Sequence, residues 1–111
     1  MSNKTKFDLL SLVESIDKIS LYSKDFTEAS DFYHDQKSFD ASMMQFVVIS
    51  EVISRLDENF KNIHSEIPWQ KIKNFRNIIA HDYFGIDADE IWDIINNKLI
   101  PLKQDINSLI I

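Results

Sequence analysis

From Phe7 to about Ser23, apolar residues return as Phe7, Leu10, Val13, Ile16 and Ile19, with Leu9 and Leu12 widening the stripe. Steps of three and four residues line up on one face of a helix, so this spacing predicts an amphipathic first helix. A longer run follows, in which Phe39, Met43, Phe46, Ile49 or Ser50, Ile53, Leu56 and Phe60 step the same way over roughly six turns. That length suits the spine of a bundle. Between the two, Asp25, Thr27, Ser30 and Asp31 supply turn and cap chemistry. The segment to Ser38 is predicted as a short, exposed helical turn or loop carrying Phe32 and Tyr33.

Pro68 falls where a third helix would start, because the N–H it lacks has no partner in a first turn, and Ser65 just upstream is a candidate N-cap. Trp69, Ile72, Phe75 and Ile79 form the predicted buried stripe, and Gly85 is the natural stop. Asp87, Asp89 and Glu90 put negative charge at the start of another helix, where the macrodipole favours it, and Ile91, Trp92, Ile94 and Ile95 give it an apolar face. Asn96 and Asn97 break it. Pro101 then sits in the first turn of a last helix with Leu102, Ile106, Leu109 and Ile110. The pattern predicts an all-α, single-domain bundle of four to six helices over residues 1–111, without internal repeats.

Composition sharpens this reading. The chain has 111 residues, 44% hydrophobic and 27% charged, which supports one packed core and argues against disorder. One glycine and two prolines leave little material for the turns of a many-stranded fold. The absence of cysteine excludes a disulfide framework, a thiolate metal site and a thiol nucleophile. Asp8, Ser11, Glu14 and Asp17 interrupt any signal-like stretch, and apolar runs such as Met43 to Ile49 are far too short to cross a bilayer. A soluble, cytoplasmic protein with no membrane association is expected. No phosphate-cradling glycine loop is present, which argues against an ATPase or kinase.

Twelve Lys and Arg against eighteen Asp and Glu give a net charge of −6, which on average repels nucleic acid. The average conceals a segregation. Ile67 to His81 carries Lys71, Lys73 and Arg76 with no acid, while Asp82 to Asp93 carries Asp82, Asp87, Asp89, Glu90 and Asp93 with no base. One basic helix in acidic surroundings predicts narrow, groove-limited phosphate binding that weakens with salt, with Lys71 and Lys73 as candidate phosphate contacts.

Functional side-chain types concentrate in that region, from Phe75 to Gly85. On an ideal helix Arg76 and Tyr83 lie within about 20° of each other and His81 is rotated from Arg76 by about 140°. His81 therefore reaches the same site through fraying of the last turn, or by meeting the motif of a second subunit across a two-fold axis. Ala80 permits close approach of another helix. The set suits metal-free cleavage of RNA: an imidazole can move a proton at a ribose 2′-hydroxyl or a leaving 5′-oxygen, and a guanidinium can hold a phosphate bidentately as charge builds. Asn77 can orient the phosphate or the imidazole, and the Tyr83 hydroxyl can bond the substrate backbone or accept a modification. The same residues also fit a plain reading, in which a histidine near a helix C-terminus satisfies terminal carbonyls.

The run from Ile67 to Asp87, with Pro68-Trp69, then Arg76-Asn77, His81 and Tyr83, and Gly85 closing it, resembles the signature of HepT-like ribonucleases, small toxins of the HEPN superfamily. Ser50 to Leu56 looks like the second long helix of that family, although Ser50 stands where a glycine is common. The resemblance implies a HEPN-like bundle dimerising through its motif helices, with metal-independent endoribonuclease activity at a composite cleft. Arg76 and His81 are implied as catalytic, with Asn77 as polar helper, and no cofactor. It also implies the toxin role of a type VII-like toxin–antitoxin pair, whose minimal nucleotidyltransferase antitoxin transfers AMP onto Tyr83. The different-class alternative is a catalytically inactive helical module that binds a nucleotidyltransferase or another protein.

Other candidates are plainer. His34 and His64 are expected to be exposed, and Trp69 and Trp92 to anchor the core or an interface. Asp87, Asp89 and Glu90 lack EF-hand spacing, so no metal site is expected. Glu51 is expected on an exposed face, with projection toward the cleft as the alternative.

Overall fold

The computed structural model describes residues 1–85 and 87–110, except for the side chains of residues 82–85. Its helices are α1 (Asn3–Ser23), α2 (Ala29–His34), α3 (Gln36–Arg55), α4 (Glu58–Ile63), α5 (Trp69–Lys73), α6 (Phe75–Gly85), α7 (Ala88–Asn97) and α8 (Leu99–Ile110). Among the described residues there is no strand, and the five helices of ten residues or more form the bundle that the periodicity predicts. No helix among them is long and apolar enough to cross a membrane.

Short polar residues start four of these helices. Ser2, Asp35, Asp57 and Asp87 each accept the N–H of the residue three further on, at 3.0 to 3.2 Å, before α1, α3, α4 and α7. Each such cap contributes about 1 kcal/mol to helix stability. Lys4 and Lys61 serve the opposite end of α3: Lys4 Nζ donates to the Arg55 carbonyl and Lys61 Nζ to that of Ile53. Cations there satisfy orphan carbonyls and complement the negative end of the helix dipole.

α1 and α3 form the central pair, α8 packs on α1, and α5 and α6 pack on α3. Leu9, Leu12, Ile16 and Ile19 of α1 meet Phe46, Ile49 and Ile53 of α3 in one core with Ile91, Leu99 and Ile106. A buried carboxylate fixes the register at one end. Asp8, 1% exposed, accepts hydrogen bonds from Lys4 Nζ at 3.1 Å and Arg55 Nε at 3.0 Å.

The tertiary packing overrides the sequence expectation at five places. Phe7 and Leu10 are exposed and the inner face of α1 runs instead through Leu9, Leu12, Ile16 and Ile19, because only one of two offset apolar rows can face α3. Phe32 is buried, its ring 5.7 Å from Phe26, 5.6 Å from Phe39 and 5.4 Å from Trp92. Burial of such a side chain contributes about 1.5–3 kcal/mol, enough to draw the polar segment around it into α2. The long helix expected to reach Phe60 ends at Arg55, where Leu56 turns extended into the core and Asp57 caps α4. Ser65 is not an N-cap; Pro68 occupies that position before α5, without a side-chain cap. The helix expected from Pro68 to Gly85 is divided at Asn74 into α5 and α6.

Candidate functional site

The division at Asn74 positions the basic motif. Ser50, 4% exposed on α3, donates through Oγ to the Lys73 carbonyl at 2.8 Å. That carbonyl ends α5, and the chain tightens beyond it: the Asn77 N–H donates to the Asn74 carbonyl at 3.0 Å. Phe75 and Ile79 then turn inward, with the Phe75 ring 6.0 Å from Phe46 of α3. With its inner side thus anchored, α6 leaves Arg76, Asn77, Ala80 and His81 exposed on its outer side.

Arg76 faces a carboxylate. Its Nη1 lies 3.8 Å from Oε1 of Glu51 on α3, and the two side chains are 59% and 61% exposed. A pair this open contributes less than about 1 kcal/mol. The guanidinium is therefore lightly tethered and more than half exposed, and can transfer to a phosphate. Glu51 is exposed, as expected, and its partner is the motif arginine. The periodic pattern gives no sign of this contact, since Glu51 and Arg76 lie in different helices.

Lys71 and Lys73 are exposed on α5 and line one side of a cavity of about 440 Å³ with Lys61, Ser65 and Trp69. Lys61 is nearly buried and already engaged, with Glu58 at 2.9 Å and the Ile53 carbonyl at 3.0 Å, so among the described residues the free positive charge of this groove comes from Lys71 and Lys73. The expectation for Tyr83 lies outside the described side chains; its backbone belongs to α6. A larger cavity of about 640 Å³, at the start of α1 and lined by Lys4, Arg55, Phe60 and His64, contains neither Arg76 nor His81 in its wall.

Among the remaining candidates, Trp69 is buried and its indole N–H donates to the His64 carbonyl at 3.1 Å. Trp92 is half-buried against Phe32, so both tryptophans act in the core. His34 is exposed and hydrogen-bonds the Ser30 carbonyl. His64 is half-buried, not exposed, because its ring rests 4.5 Å from that of Phe60. Asp87 serves as the N-cap of α7, with Asp89 and Glu90 in its first turn.

A family model described as ribonuclease HepT-like matches residues 12–109, which include the whole of this face. A Methanocaldococcus jannaschii protein named for a gamma-glutamylcyclotransferase and a candidate RNase is 32% identical over 106 residues, 96% of this chain but 47% of its own length. A second candidate RNase of that organism is 31% identical over 102 residues, 92% of this chain and 84% of its own. A protein named probable ribonuclease HepT from Thermococcus cleftensis is 28% identical over 109 residues, 98% of either chain. This chain thus spans about half of the first relative and nearly all of the third. No solved structure gives a significant match.

Proposed function

Because the chain belongs to the HepT-like ribonuclease family, we propose that it is a metal-independent endoribonuclease whose composite site forms from Arg76 and His81 at the cleft of a homodimer. The observation that carries this reading is the outer side of α6. There Arg76, Asn77 and His81 stand exposed on a helix whose other side is fixed in the core by Phe75 and Ile79.

In the proposed reaction, a ribose 2′-oxygen attacks the adjacent phosphorus while a His81 imidazole takes its proton. The P–O5′ bond breaks, and the leaving oxygen receives a proton from an imidazolium. In a dimer two imidazoles are at hand, one for each transfer. The products are a 2′,3′-cyclic phosphate and a 5′-hydroxyl end. Arg76 neutralises the charge that accumulates on the non-bridging oxygens, and Asn77 orients the phosphate. Lys71 and Lys73 attract the strand, which makes binding salt-dependent. Exposed Ala80 has no bulk to hold a second motif helix away.

In the cell, the protein would act in the cytoplasm as the toxin of a toxin–antitoxin pair. Its cognate minimal nucleotidyltransferase would silence it by transferring AMP from ATP onto the Tyr83 hydroxyl, with release of pyrophosphate and of the phenol proton, which adds bulk and negative charge to the motif. Intact mass after coexpression checks this step: wild type should gain one adenylate and Tyr83→Phe none, and equal masses would remove it.

Cleavage of a defined RNA tests the activity. Arg76→Ala and His81→Ala should each lower the rate by about 10²-fold or more, with helical content and EDTA resistance unchanged. Wild-type cleavage by His81→Ala would overturn the assignment. Intact RNA after incubation with the wild-type protein, with or without divalent metal, would leave the non-catalytic binding module as the better reading.

A further inference from the structure

A cavity of about 270 Å³ opens beside the motif, where α5 and the start of α6 meet the joint between α7 and α8. Its apolar wall includes Pro68, Ile72, Phe75, Pro101 and Leu102. Its rim carries Lys71, Lys98, Asn97 and Asp105, all exposed. Lys71 and Pro68 also line the 440 Å³ groove on the other side of α5, so the two depressions adjoin across that short helix. Phe75 in the wall directly precedes Arg76.

The local chemistry is that of a seat for one nucleotide. A nucleobase needs an apolar slot with a few polar groups at its edge, and single strands are held by such platforms combined with cations that follow the backbone. No ion pair to Lys71 or Lys98 is found among the described residues, so neither ammonium must surrender a carboxylate before it meets a phosphate. Asn97 already donates its amide N–H to Asp93 at 2.6 Å, which leaves its carbonyl oxygen for a base amino group. The Asp105 carboxylate is a second acceptor on the same rim and would repel a phosphate placed against it. The base is thereby favoured on the Asp105 side and the backbone on the Lys71 and Lys98 side. Lys71 and Arg76 stand on the two successive helices α5 and α6, which meet at Asn74.

We propose that this cleft seats the nucleotide next to the scissile phosphate, its base against Pro68, Ile72 and Pro101 and its flanking phosphate between Lys71 and Lys98. The inference rests on the ribonuclease reading and adds to it a specificity site between the motif run and the joint of α7 and α8.

Binding of 2′-O-methyl oligonucleotides tests it without cleavage, because the methyl group removes the nucleophile. The wild-type protein should bind a hexanucleotide at least fivefold more tightly than a dinucleotide, which spans only the phosphate at Arg76. Lys98→Ala should weaken hexanucleotide binding about three- to tenfold, leave dinucleotide binding unchanged, and lower the salt slope by about one, and Lys71→Ala should weaken hexanucleotide binding by a similar factor. Asp105→Asn should change which base is preferred beside the cut. Both lysines are exposed, so melting temperatures should be unaltered. Hexanucleotide binding equal to wild type in the two lysine variants overturns the proposal while leaving the ribonuclease reading intact. Loss of a coexpressed partner protein from Lys98→Ala, with RNA affinity unchanged, likewise overturns it in favour of a protein-binding cleft. A wild-type protein that binds and cuts no RNA overturns both readings.

Discussion

Arg76 and Glu51 set the resting state of the site at the scale of single residues. At 3.8 Å and with both side chains more than half exposed, the carboxylate contributes little to folding, yet it is a negative charge standing where a phosphate would arrive in the proposed reaction. Its effect on binding therefore outweighs its effect on stability. Glu51→Gln should leave the urea midpoint within the equivalent of about 0.5 kcal/mol of wild type and tighten binding of a 2′-O-methyl oligonucleotide a few-fold at low salt, the gain fading as salt rises. Weaker binding in that variant would mean that Glu51 holds Arg76 in place and does not compete with the substrate. Arg76, Asn77 and His81 stand out in the sequence because they occur in one run, and projection of Glu51 toward them was the alternative expectation for that residue; that it meets Arg76 needed the packing of α6 on α3.

The helix elements show how a local pattern is overruled. Trp69 to Ile79 reads as one apolar stripe, and propensity alone would carry the helix through Asn74. The structure divides it there, where the Ser50 hydroxyl takes the Lys73 carbonyl and the next turn closes on Asn74. Ser50→Ala should cost about 1 kcal/mol in urea unfolding, since a part-buried acceptor loses its donor, and should slow RNA cleavage severalfold by loosening the joint that aims Arg76. An unchanged cleavage rate would show that α6 is positioned by Phe75 and Ile79 alone. The end of α3 follows the same logic: Leu56 prefers the core to another helical turn, and Lys61 and Lys4 take up the carbonyls left behind. Positions that alternate by threes and fours announce that a helix exists, while its ends depend on which side chain from elsewhere satisfies its backbone.

On the scale of the molecule, the bundle separates the core from the exposed motif face. α1 and α3 hold the interior together, and α6 is set at the side of that pair with a polar outer face. A composite site needs a second such face, and Ala80 is the small residue through which two motif helices can approach. Ala80→Trp should give a species near 13.0 kDa by light scattering, where the wild type is expected at twice that mass, and should abolish cleavage with the melting temperature within a few degrees. A dimeric, active Ala80→Trp would place the interface elsewhere.

By itself, the sequence determined the all-helical class, the position of the basic motif, the aspartate at the start of α7 and the proline in the first turn of α8. These are local properties: apolar spacing, cap chemistry and charge act over a few residues and leave their trace in the order of the chain. Tertiary structure alone decided which of two apolar rows on α1 faces inward, that Phe32 belongs to the core, that Asn74 divides the motif helix and that Glu51 meets Arg76. Each of these is a competition between groups far apart in the chain, and it is decided by how much surface can be buried and which backbone groups can be satisfied together once the helices have packed.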